Sequence, residues 1–251
     1  MAEHASSNSA SVVLTGLGKL LPDLEPLYKD IHAHPELSMH ETRTAAIAAD
    51  RLRKAGYEVT TGVGKTGVVG LLRNGEGPAV MLRADMDALP IAEDTGLAYA
   101  SKVSAQDAEG NTVQVGHMCG HDMHVAWLVG AATLLSQARD AWKGTLMAVF
   151  QPGEETAQGA QAMIDDGLLK RFPTPDVVLA SMSWSAPPEP SPEAPDRSLP
   201  PRTACKSACS GAVRMARCRR PASIPSSWRH PSSCGSRPSC PARLPQTTRR
   251  W

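Results

Sequence analysis

Cys119 and His121 stand two residues apart in the glycine-bounded string GHMCGHDMH (116–124), and Glu154 and Glu155 adjoin in QPGEE (151–155). A thiolate, an imidazole and a carboxylate suit zinc, manganese, cobalt or nickel. The neighbouring carboxylate can then take a proton from a water made acidic by the cation. A third string, RADMDALP (83–90), offers Asp85 and Asp87, either of which can hold a ligand histidine by a hydrogen bond. Singly, each string has a plainer explanation. A lone Cys-x-His is as readily a satisfied structural pair, adjacent glutamates usually face solvent, and RADMDALP can be a turn with an Asp cap.

The elements around these strings favour the chemical reading. RADMDALP follows the apolar run AVML, QPGEE follows LMAVF, and GHMCGHDMH precedes the apolar stretch HVAWLVGAATLLSQA (124–138). In open α/β sheets, ligands bind at the carboxyl ends of strands, so three clusters placed this way can converge. Strands are expected at 57–60, 66–72, 79–84, 144–150 and 176–180. Helices are expected at 24–32, 41–56 with Gly56 at the C-cap, 124–138 and up to Phe172, with a polar loop over 93–116. Alternating strands and helices predict an α/β three-layer sandwich with a largely parallel central sheet. Residues 1–22 read as a mobile leader, and the catalytic-type domain runs over 23–180.

The net charge of +1 conceals two unlike parts. From Ser181 onward there are 12 Lys and Arg against 3 Asp and Glu; before it there are 14 against 22. The same segment, 181–251, carries 13 of the 21 prolines and five of the six cysteines, and it follows neither hydrophobic period. Such a composition buries too little apolar surface to offset chain entropy, which predicts a disordered tail. Its five cysteines match neither a zinc-ligand spacing nor an even disulfide framework. No apolar run reaches the roughly 18 residues of a membrane span, and the N-terminus lacks a secretory pattern, so the default expectation is a cytoplasmic protein.

With those residues in view, the chain resembles the M20 metal-dependent amidohydrolases, in the branch of hippurate hydrolase and N-acyl amino acid deacetylases. HAHPELS (32–38), LRADMDALPI (82–91), GHMCGHDMH (116–124) and FQPGEE (150–155) carry the resemblance over about residues 24–180. It implies that Cys119, His121 and Glu155 are metal ligands, that Glu154 is the general base, and that Asp85 is a supporting catalytic carboxylate. It implies divalent cations (Mn, Zn, Co or Ni), two per complete site, and a small N-acyl amino acid substrate. It implies homo-oligomers formed through a lid domain. His124 could reach the site, but the expected role is to cap the helix that follows it.

The resemblance ends near Ala180, where the family would continue with a Gly-x-His-Val string, a lid and a further ligand histidine. The expectation is a single-base deletion near Leu179–Ala180. Joining the third base of each codon to the next two lets Ala180–Ala186 be re-read as Gln-His-Val-Met-Val-Gly-Pro. Residues 210–225 can likewise be re-read as a Gly-rich, His-containing segment. An out-of-frame GC-rich gene also explains the excess of Pro, Arg, Ser and Cys. The chain as written is then expected to be inactive and poorly soluble. Two other readings are a non-catalytic binding or scaffold protein with a basic interaction arm, and a nucleic-acid contact through the tail's arginines.

Overall fold

The computed structural model describes residues 9–183 and the short strand Arg214–Ala216. Apart from Ser181–Ser183 and that strand, the expectation of disorder over 181–251 concerns residues outside those described. Helix α1 spans Leu17–Ala33 and α2 Thr42–Lys54. Strands β1 (Glu58–Val63), β2 (Gly67–Asn74) and β3 (Ala79–Asp85) follow, then a small hairpin, β4 (Ser104–Gln106) and β5 (Thr112–Gln114). Helix α3 is His121–Gln137, β6 Gly144–Gln151, α4 Gly159–Asp165, α5 Leu168–Arg171, β7 Val177–Ala180 and β8 Arg214–Ala216.

The main sheet has the order β1-β2-β6-β3-β7-β8. Its middle, β6-β3-β7, is parallel, while β1-β2, β2-β6 and β7-β8 are antiparallel. The expected parallel sheet is therefore the central part of a mixed one. Apolar periodicity marks where a strand runs but leaves its direction open.

Both faces of the sheet are covered, which gives three layers. Successive residues of β6 point to opposite sides: Leu146, Ala148 and Phe150 join Ile31, Leu52, Val125 and Val129 in one core, and Met147 and Val149 join Met163 and Leu168 in the other. Tyr57 reaches through the first core to donate its hydroxyl to the Ala132 carbonyl at 2.9 Å. Helix α3 is buried around most of its circumference, as its continuous apolar run predicted.

Two boundaries differ from the sequence expectation. Helix α1 begins at Leu17, inside the segment read as a leader, and runs through Pro22 and Pro26. Proline removes one backbone hydrogen bond, but the Leu24, Leu27, Ile31 stripe at helical spacing packs into the core and holds the helix in place. Helix α3 begins at His121 rather than His124, so the end of GHMCGHDMH is its first turn. Among the described residues, no helix is long and apolar enough to cross a membrane.

Candidate metal centre

Parallel pairing sets the frame of the site. Asp85 at the end of β3 is in register with Gln151 at the end of β6, so RADMDALP and QPGEE leave the sheet side by side. Helix α3 starts over the same edge. Gly120, in the left-handed conformation (φ 76°), turns the chain from Cys119 into that helix.

The turn carrying Glu154 and Glu155 is fixed from beneath. Glu41, with no solvent exposure, accepts the backbone N–H of Gly153 at 2.8 Å and of Met39 at 2.7 Å on one oxygen, and the Thr66 hydroxyl on the other. Gly159 is required there, because a Cβ would sit 1.6 Å from the Pro152 carbonyl oxygen. From HAHPELS, the Glu36 carboxylate takes the N–H groups of Arg43 and Thr44 at the start of α2, each at 2.8 Å. Ser38 donates its hydroxyl to Asp87 at 2.5 Å.

Cys119, His121 and Glu155 come together, each offering a ligand atom within 4.8 Å of the others. His121 Nδ1 donates to the Asp87 carbonyl at 2.8 Å, which turns Nε2 toward the mouth. Around Nε2 lie carboxylate oxygens of Asp85 (3.7 Å), Glu155 (3.7 Å) and Glu154 (3.8 Å), all too distant for hydrogen bonds. Glu155 Oε1 is buried with no hydrogen-bond partner. A ring of carboxylates around a thiol and an imidazole, one oxygen unsatisfied, is a donor set that fits a divalent cation. Glu154 is the more open of the glutamates, 44% exposed against 18% for Glu155, and so has the freer access to water.

The acidic surroundings shift nearby groups. Burial would lower the His121 pKa, but the hydrogen bonds to Asp87 and the charges of Asp85 and Asp87 outweigh it and raise it to about 9. The Cys119 thiol is pushed up to about 11 by its hydrogen bond with Glu155, by burial and by the surrounding carboxylates. Burial opposes ionisation of Asp87, yet hydrogen bonds from His121, Ser38 and the backbone of Glu155 and Glu154 carry it down to about 2.

His124 does not cap its helix. It lies within the first turn, where Nδ1 meets Asp85 Oδ1 at 2.6 Å and Nε2 accepts the backbone N–H of Ser183 at 2.7 Å. Nε2 as acceptor makes Nδ1–H the donor to Asp85. Asp85, His121 and His124 form a second triad with ligand atoms within 4.8 Å, buried throughout. Asp85 also accepts from Arg83 at 2.7 Å. The i, i+3 spacing of His121 and His124 on one helix face was the signal available for this residue.

The family model for peptidase family M20/M25/M40 matches residues 81–198, an interval that holds Asp85, Asp87, Cys119, His121, His124, Glu154 and Glu155. These residues match the M20 peptidases. The chain is 44% identical over 151 residues to hippurate hydrolase of Campylobacter jejuni, covering 60% of this chain and 37% of that protein. It is 42% identical over 154 residues to N-acetyl-L-cysteine deacetylase of Bacillus subtilis, covering 61% and 35%. Among solved structures, it resembles an aminohydrolase of methicillin-resistant Staphylococcus aureus (TM-score 0.61, 34% identity, 69% of this chain and 42% of that one). It also resembles the Bacillus subtilis YXEP protein, a dinuclear metal-binding M20 peptidase (TM-score 0.53, 39% identity, 59% and 39%). The chain thus spans less than half the length of these relatives.

Proposed function

We propose that this chain represents part of an M20 amidohydrolase that cleaves the amide bond of small N-acyl amino acids of the hippurate or N-acetyl type. The observation that carries this reading is the convergence of Cys119, His121 and Glu155 beside Glu154 at the carboxyl edge of parallel strands. In this reading Cys119 Sγ, His121 Nε2 and the Glu155 carboxylate hold a divalent cation. Its chemistry when bound is to polarise the amide carbonyl and to make water more acidic. Glu154 accepts the proton of the attacking water and returns it to the amide nitrogen, so the C–N bond breaks to give a carboxylic acid and an amino acid. Asp87 orients His121. Asp85 supports the site through His124 and offsets the charge of Arg83.

The proposal includes the reading-frame change near Leu179–Ala180. Strand β7 ends at Ala180, and Ser183 already touches both His124 and Cys119. A histidine re-read at this point would therefore arrive beside the candidate ligands. The family match stops at residue 198, within the proline-rich segment. In the intact protein a lid domain would supply dimer contacts, and a cytoplasmic location suits such an enzyme.

The test is expression of the gene as written and with one base inserted at the Leu179–Ala180 codons, both assayed on hippurate and N-acetyl amino acids with Mn, Zn, Co or Ni. Hydrolysis confined to the restored frame is expected. Turnover at ordinary enzyme rates by the 251-residue chain would contradict the frame change. A restored protein that binds metal but cleaves none of these amides would favour the binding-protein reading.

A further inference from the structure

A buried charged cluster lies beside the first turn of α3. His32, at the end of α1, has Nδ1 2.7 Å from Asp122 Oδ2 and Nε2 3.0 Å from Glu93 Oε1. All three side chains are nearly inaccessible: 8% exposed for His32, 3% for Asp122 and none for Glu93. Ionised carboxylates only accept hydrogen bonds, so a ring placed between two of them satisfies both when both its nitrogens carry protons. Tyr28 and Tyr99 pack against the ring, with centroids 5.7 and 5.2 Å away, and Lys29 lies over Tyr99.

The cluster ties together three segments far apart in sequence. Glu93 also accepts the N–H of Ser101 at 2.6 Å and the Thr95 hydroxyl, which closes the 93–101 loop on itself. Asp122 takes the Met123 N–H at 2.8 Å and adjoins His121. Neither Glu93 nor His32 belongs to a group of side chains that could hold the cation.

We propose that His32 is a positioning residue for the metal centre: clamped between Glu93 and Asp122, it fixes the turn that carries Cys119 and His121 against the 93–101 loop. This rests on the metal-centre reading above. Without His32, two buried carboxylates lose their shared partner, a situation the chain relieves by moving one of them. Asp122 is the one whose movement displaces His121.

Cobalt(II) titration of the full chain tests this, read by the thiolate-to-cobalt absorption of Cys119. Wild type is compared with His32→Ala and with Glu93→Gln, which removes charge but little bulk and lies beyond His32 from the site. Both variants are expected to weaken cobalt binding, His32→Ala by about tenfold or more, and to reduce or shift the thiolate band. A lower melting temperature with unchanged affinity and band would mean His32 serves the scaffold alone, and would overturn the proposal. So would an unchanged band in Glu93→Gln, a variant that remains informative if His32→Ala does not fold. A wild-type chain that binds cobalt with no thiolate band would remove the metal-centre reading, and the proposal with it.

Discussion

Asp87 Oδ2 accepts the backbone N–H of Glu155 at 3.0 Å, while the same residue's carbonyl holds His121 Nδ1 at 2.8 Å. One residue just past β3 thus sets the spacing between an imidazole on α3 and a carboxylate beyond β6. Its Oδ1 is buried, 3.3 Å from His121 Nδ1.

Replacing Asp87 by Asn should therefore loosen both groups together. A loss of cobalt or zinc affinity on the order of 10- to 100-fold is expected, the range for partners that orient metal ligands. Calorimetric titration checks it. Unchanged affinity would mean that the backbone carbonyl alone orients His121.

Glu154 separates binding from chemistry. In the restored-frame protein, Glu154→Gln should keep metal affinity within a few fold and lower kcat by roughly 10²- to 10⁴-fold, the usual contribution of a general base. Glu155→Gln should reduce metal affinity itself. Equal metal loss in both variants would dissolve the distinction drawn between these neighbours.

The support beneath QPGEE is expected to matter for folding. Glu41→Ala leaves the N–H groups of Gly153 and Met39 and the Thr66 hydroxyl without a partner in a buried place. Urea unfolding should register a loss of about 3 kcal/mol or more. Gly159→Ala forces a methyl into the Pro152 carbonyl and should also destabilise, since backbone rather than a pliable side chain must yield.

How much of this was legible in the sequence depends on how far apart the partners lie. Cys119, His121, Glu154 and Glu155 announce themselves because donor types of rare spacing sit beside strand ends. The Asp85–His124 contact spans 39 residues and the His32–Asp122 contact 90, so only the fold brings them together. Nothing in HAHPELS alone tells a surface histidine from a buried one. His34 is exposed, whereas His32 is buried, a difference set by what α3 presents to each. The start of α1 was hidden by Pro22 and Pro26, whose local preference yields to packing. Strand positions were legible from apolar runs. The antiparallel flanks were not, because direction depends on how the connections run.

The His32 cluster also predicts a pH signature in stability. Burial would lower the His32 pKa, but its hydrogen bonds to Glu93 and Asp122 raise it overall. That stabilisation is complete below the unfolded value of about 6.5 and fades as pH rises through the raised folded value. Burial would raise the Glu93 pKa, and the hydrogen bonds from Thr95, His32 and Ser101 lower it overall. Its contribution is complete above the unfolded value near 4.5 and fades as pH falls through the lowered folded value. The difference in urea midpoint between wild type and His32→Gln should thus be widest between about pH 4.5 and 6.5 and narrow toward pH 9. A difference that stays constant from pH 4 to 9 would show that the ring contributes through packing alone.

Strand β7 delivers the chain to the candidate metal centre, where the Ser183 hydroxyl meets the Cys119 carbonyl at 2.7 Å. In the proposed reading, the codons just past the strand spell part of the reactive surface itself. Most loops can absorb an altered spelling as a change of decoration. At this junction the same alteration would exchange one set of chemical groups for another, so a single lost nucleotide could silence the enzyme while leaving the preceding scaffold's instructions intact.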